Sequence, residues 1–200
     1  MENIQADKKI KVYKTIFVLL FIAFIVTAVL IINKYMNEKG IEEEAINIVE
    51  QFKNAETIKD EEGLGLISYK GYRVIGIINI PKIDIEYPIL EKNTNETMKY
   101  SIGRYFGGSI NSFGNVSLAG HNNYSGTMFG KTKYLEIGDI VELTDLENIT
   151  IKYEVYDIFT TDPNDVSVLE TTDDSIREVT LITCKNGREQ RLIVKAKEIK

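Results

Sequence analysis

Two residue types that build most reactive centres are almost missing from this 200-residue chain: it has one cysteine, Cys184, and one histidine, His121. A single cysteine excludes a disulfide within the chain and any cysteine-ligated zinc or iron–sulfur cluster. A single histidine excludes the usual multi-histidine metal sites, so neither a metal nor a cofactor is expected. Any thiol–imidazole chemistry has to use this one pair. An excess of basic charge is also lacking, because the formal net charge is −6. That argues against a nucleic-acid partner, which calls for a basic face. Internal repeats and low-complexity segments are absent. The content of 44% hydrophobic and 27% charged residues is near globular averages and excludes wholesale disorder. The length fits one ordinary domain with an appendage, or two very small domains.

What charge there is lies unevenly. Residues 1–34 hold Lys8, Lys9, Lys11, Lys14 and Lys34 against Glu2 and Asp7, a net +3, which leaves −9 for the remainder. Between these lysines, Thr15 to Ile32 reads TIFVLLFIAFIVTAVLII, with no charge and two threonines as its only polar side chains. At about 1.5 Å per residue such a helix spans roughly 27 Å, close to the hydrocarbon thickness of a bilayer. A buried soluble helix would show a polar face. A cleaved signal peptide would show a shorter apolar core and small residues before a cut site, which NKYMNEKG after Ile32 does not supply. The expectation is an uncleaved membrane anchor: 1–14 cytoplasmic by the positive-inside bias, 15–32 spanning, and everything beyond outside. Ile41, Ala45, Ile48, Val49 and Phe52 continue at roughly helical spacing, either as a stalk or as a helix packed on the domain. The segment 33–70 is read as helical stalk and linker, and 71–200 as the outer domain.

That domain is expected to be mainly β. Arg73–Ile80, Ile83–Leu90, Asn115–Gly120, Asp139–Thr144, Ile149–Phe159, Glu178–Cys184 and Arg191–Ala196 are short apolar or alternating runs with turn signals between them. This is the pattern of a barrel or a sandwich. Only short helices fit, around Thr94–Tyr100 and Met128–Leu135. The triplets at Asn95, Asn123 and Asn148 match the glycosylation pattern, one that often arises by chance.

Cys184 ends a predicted strand before the turn Lys185-Asn186-Gly187-Arg188. Taken alone it reads as a small buried hydrophobe. His121 closes an apolar run and opens a polar loop; alone it is either a surface histidine or an acid/base. Arg191 opens the last strand, and a tight hairpin returns it beside the cysteine. There it could favour a thiolate or bind an oxyanion, or merely keep an edge soluble. Arg188, in the turn, competes for that role. Together the three supply what nucleophilic cysteine chemistry needs: a thiol, a base and an oxyanion partner, each at a strand terminus.

LAGHNN around His121, TLITC at Cys184 and RLIV at Arg191, in this order behind an N-terminal anchor, resemble the signature of sortases, the membrane-anchored cysteine transpeptidases of Gram-positive bacteria. The resemblance covers roughly residues 72–199, including GIINIPKIDIEYPIL and YLEIGDIVEL. It implies an eight-stranded sortase-type β-barrel with short helices, preceded by the transmembrane helix. It implies that Cys184 cleaves the Thr–Gly bond of an LPxTG-like sorting signal through a thioester, with His121 as acid/base and Arg191 holding substrate or oxyanion. The partners implied are sorting-signal-bearing surface proteins and an amine acceptor, either a peptidoglycan precursor or a pilin lysine. Thr183 matches the family's threonine beside the nucleophile and is taken as a substrate-site residue. The loop Thr160–Ser175 falls where the family places its specificity groove, which nominates Val168 and Leu169 as substrate contacts.

The subclass stays open at this level. GHNN followed by GTMFG resembles class B, but the short segment between Phe159 and the cysteine strand leaves little room for a long helix, as in class A or D. Glu91 and Glu96 are available for a calcium site, and nothing compels one. Papain-like and NlpC-type peptidases place cysteine before histidine, the reverse of this chain. L,D-transpeptidases place glycine before the cysteine, where this chain has Thr183. A catalytically inactive anchored binding domain is disfavoured because all three reactive residues are present.

Overall fold

The structure, a computed structural model, describes residues 2–55, 58–62, 64–171 and 173–199. A long helix, α1 (Glu2–Asn54), comes first and is followed by strands. The chain divides into two units, 1–38 and 39–200.

In the first unit the helix is apolar on every side over residues 15–32. Phe17, Leu20, Phe24, Leu30 and Ile31 all stand exposed. Its two threonines turn their hydroxyls back on the helix: Thr15 donates to the Lys11 carbonyl, and Thr27 to those of Ala23 and Phe24. No polar group in 15–32 then needs an outside partner, which is the condition for crossing hydrocarbon. The helix is long and apolar enough for a single membrane pass.

The second unit is a closed β-barrel. Its strands are β1 (Ser68–Tyr69), β2 (Tyr72–Ile80), β3 (Ile85–Leu90), β4 (Ile102–Phe106), β5 (Gly114–Ala119), β6 (Ile140–Thr144), β7 (Thr150–Thr161), β8 (Arg177–Lys185) and β9 (Gln190–Glu198). The order β2-β3-β4-β5-β8-β9-β7-β6 returns to β2, so eight strands close a ring and β1 adds to it at β2. Closure removes the exposed sheet edge that invites aggregation. It depends on Gly76, at a register shift in β2, since a Cβ there would lie 2.5 Å from the Thr144 carbonyl oxygen across the β2–β6 seam.

The alternating runs supply the interior. Ile78, Ile80, Ile89, Leu118, Val141, Leu143 and Val155 are fully buried. Residues 39–54 of α1 pack on this barrel, with Ala45, Val49 and Phe52 in the same core. Truncating a buried phenylalanine such as Phe52 to alanine costs about 3–5 kcal/mol, so this helical segment is an integral part of the unit's stability.

β4 escapes the sequence pattern. Its parallel pairing with β3 rests on two residue pairs, Ile89↔Ile102 and Leu90↔Gly103, and its second half is exposed. The helices expected at 94–100 and 128–135 shrink to single turns at Thr97–Lys99 and Thr132–Tyr134. In the first, hydroxyls take over the backbone bonds: the Thr94 N–H donates to Thr97 Oγ1, which itself reaches the Lys92 carbonyl. Among the described residues of the connection between β7 and β8, the helical segment is the single 3-10 turn Ser167–Leu169.

Candidate functional site

The β8–β9 hairpin places the first two groups. Its turn forces Asn186, Gly187 and Arg188 all to positive φ, at 49°, 70° and 112°. This brings Arg191 directly opposite Cys184 in the ladder. Both residues are half-buried. The Arg191 guanidinium donates to the carbonyls of Arg188 (3.1 Å) and Gln190 (3.3 Å), which tether it over the hairpin end.

The third group comes from a parallel pairing. β5 runs beside β8 in continuous register from Gly114↔Arg177 to Ala119↔Ile182, and the Gly120 N–H extends the ladder to the Ile182 carbonyl at 3.2 Å. Counting on, position 121 falls level with position 184. Two side chains fix this end of the barrel. The Thr183 hydroxyl, buried at 4% exposure, donates to the Gly120 carbonyl at 2.8 Å. The Asn122 amide donates to the Cys184 carbonyl at 2.8 Å. The residues before and after His121 are thus each bonded to the Thr183–Cys184 backbone or side chain. The His121 carbonyl in turn accepts from the Phe129 N–H, closing the polar loop back on itself.

A cavity of about 300 Å³ opens at this end and is lined by His121, Cys184, Arg191, Thr183, Val168 and Leu169. All six residues singled out from the sequence therefore meet in one place. Arg188 lines it as well, so the turn arginine stays within reach of the same space. Val168 is buried and Leu169 half-buried.

Several contributors were not legible in the sequence. Asn115, 7% exposed in β5, donates its amide to the carbonyls of Val168 (3.3 Å) and Leu169 (3.0 Å), while its side-chain oxygen accepts from Thr180. It pins the β7–β8 connection over the cavity. A buried asparagine in an otherwise apolar strand was the available signal, because a buried amide has to find partners. Asn93 holds the β3–β4 connection against the rim by donating to the Ala119 carbonyl at 3.1 Å. Asp165, another lining residue, accepts from Ser167 and Thr161, and these hydrogen bonds hold its carboxyl below the ordinary value. The carboxylates available for calcium are paired instead with cations: Glu91 with Arg73 at 3.2 Å and Glu96 with Lys99 at 2.7 Å. Among the described residues no three His, Cys, Asp or Glu side chains group as metal ligands.

A thiol, an imidazole and a guanidinium around one groove can cleave an acyl bond, with nucleophile, proton carrier and oxyanion donor each supplied once. Comparison with known proteins identifies the family. The sequence profile of the sortase domain matches residues 78–199. Sortase A of Listeria monocytogenes is 31% identical over 126 residues, covering 62% of this chain and 55% of that protein. Sortase D of Bacillus subtilis is 30% identical over 139 residues, covering 69% of this chain and 63% of that protein. The chain thus matches a little over half the length of these curated relatives. Among solved structures, a Sortase D5 transpeptidase from Clostridium perfringens superposes with a TM-score of 0.62 at 29% identity, covering 80% of this chain and 99% of that one.

Proposed function

This chain belongs to the sortase family, and on that premise we propose that it is a membrane-anchored cysteine transpeptidase acting on an LPxTG-like sorting signal. The observation that carries the reading is the convergence of the chain's one cysteine, its one histidine and Arg191 on a single cavity.

The Cys184 thiolate adds to the threonine carbonyl carbon of the signal, and the tetrahedral oxyanion is met by the Arg191 guanidinium. The C–N bond to glycine then breaks as the His121 imidazolium gives its proton to the leaving amine, and a thioester remains on Cys184. An incoming amine attacks that carbonyl and gives a proton to His121, and the thiolate leaves. Its source is a peptidoglycan precursor or a pilin lysine. The cavity wall formed by Thr183, Val168 and Leu169 receives the peptide upstream of the cut. The short β7–β8 connection favours the class A or D arrangement over class B, whose long helix has no space there.

Residues 1–14 lie in the cytoplasm, 15–32 cross the membrane, and 33–70 lead to the catalytic domain 71–200 on the outer side. The lysine cluster on one flank supports this orientation.

Cleavage tests the substrate assignment. The full chain in detergent micelles is incubated with a library of sorting-signal peptides, and products are separated by chromatography. The expected result is release of a fragment beginning at glycine, abolished in Cys184→Ala and His121→Ala. Intact peptides throughout the library overturn the assignment.

A further inference from the structure

We propose that Tyr87 is a positioning residue that couples the helix leaving the membrane segment to the loop carrying His121. The inference rests on the reading that His121 and Cys184 perform the chemistry. Tyr87 lies in β3 and is 1% exposed. Its hydroxyl makes two hydrogen bonds in opposite directions. It donates to Oε1 of Glu42, on α1, at 3.1 Å, and it accepts from the backbone N–H of Met128 at 3.0 Å. The other oxygen of Glu42 is taken by the Lys39 ammonium at 2.5 Å, so the carboxylate is held from two sides.

Met128 is where this arrangement meets the site. It is buried and has a φ of 50°, a left-handed conformation that an L-residue keeps only where its surroundings over-determine it. The next N–H, that of Phe129, donates to the His121 carbonyl at 3.0 Å. Met128 also forms an isolated antiparallel bridge with Asn122, whose amide holds the Cys184 carbonyl. Adjacent peptide groups are thus bound by Tyr87 on one side and by His121 on the other. An unbroken set of hydrogen bonds and one residue-to-residue bridge leads from Glu42 to the backbone of the nucleophile. Burial raises the Tyr87 phenol well above its ordinary value, so it stays protonated and keeps donating to Glu42.

Removing the hydroxyl leaves the buried Met128 N–H without this acceptor, and the strained loop relaxes away from the geometry that presents the imidazole. The membrane-proximal segment is then part of the catalytic apparatus as well as its tether.

The test uses the full chain in detergent micelles, with Tyr87→Phe, Glu42→Ala and Glu42→Gln. Two quantities are read: the acylation rate per titrated Cys184 at saturating LPxTG-like peptide, and the NMR signals of the His121 imidazole, which are unambiguous because the chain has no other histidine. Tyr87→Phe is expected to slow acylation about tenfold, equivalent to ~1.4 kcal/mol, with KM little changed and the imidazole signals shifted or broadened. Glu42→Ala gives the same signature more weakly, and Glu42→Gln, still an acceptor, stays near wild type. Wild-type rate and imidazole signals in Tyr87→Phe overturn the coupling, whatever happens to its melting temperature. Should Tyr87→Phe not fold, the same result in Glu42→Ala overturns it. A wild-type chain that never acylates defeats the functional reading instead, and the imidazole signals still decide the coupling.

Discussion

Thr183→Val isolates one bond at the heart of the site. Valine keeps the shape and β-preference of threonine but loses the hydroxyl that donates to the buried Gly120 carbonyl at 2.8 Å. A buried acceptor deprived of its donor costs about 1–3 kcal/mol. For a unit of this size each kcal/mol shifts the melting temperature by roughly 2–4 °C, so a drop of about 2–12 °C is expected. The functional effect should be larger than the stability alone explains. Gly120 precedes His121 and Thr183 precedes Cys184, so this bond sets the spacing of the two reacting groups. Misplacement by an ångström can cost about 100-fold in rate; a partial relaxation here should slow acylation roughly tenfold at saturating peptide. The assay pairs thermal unfolding followed by circular dichroism with pre-steady-state acylation kinetics, and Thr183→Ser serves as the control that retains the donor. A raised KM at unchanged melting temperature and acylation rate would refute the bracing argument and leave Thr183 purely a substrate contact.

Three further outcomes follow from the same geometry. In Gly130→Ala the new Cβ would lie 2.4 Å from the Asn123 carbonyl oxygen, and overpacking of this kind costs about 1–3 kcal/mol. The His121 loop must open, and both melting temperature and acylation rate should fall. Glu142 is held below its ordinary value of 4.5 chiefly by its bond to Lys152, with the Asn79 amide adding to it. Its folded value is depressed, so its contribution is present above about pH 4.5 and is lost as the pH falls through the folded value. Urea midpoints measured from pH 6 down to 3 should therefore fall less steeply in Glu142→Gln than in wild type. Finally, because acylation needs a thiolate and an imidazolium at the same time, its rate should pass through a maximum in pH; a monotonic profile would count against the pair acting together.

The sequence showed the candidate site residues and most of the barrel, for identifiable reasons. Alternation from Ile149 to Phe159 and the run from Glu178 to Cys184 mark strands, because side chains on a barrel wall must alternate or be buried on both faces. The scarcity of cysteine and histidine left only one possible pair. Hidden from view were the long-range pairings. Nothing local in NVSLAG announces that it lies parallel to TLITC, yet that pairing sets His121 level with Cys184. β4 was missed because its parallel pairing with β3 spans two residue pairs and its five residues, buried at Ile102 and Gly103 and exposed at Tyr105 and Phe106, leave no periodic trace. The bracing side chains Asn115, Asn122 and Tyr87 were missed because a polar group's partner is decided by tertiary structure. The expected short helices gave way to single turns where threonine hydroxyls compete for backbone bonds.

Intact-mass spectrometry reads a thioester on Cys184. The full chain is mixed with an LPxTG-like peptide, and aliquots are quenched in acid at intervals before and after a glycine-based amine is added. The expected result is a mass increase equal to the peptide fragment ending at threonine less one water, located on Cys184, absent in Cys184→Ala, and discharged onto the amine as an amide product. Peptide cleavage without any adduct on Cys184, or with equal yield in Cys184→Ala, would contradict it.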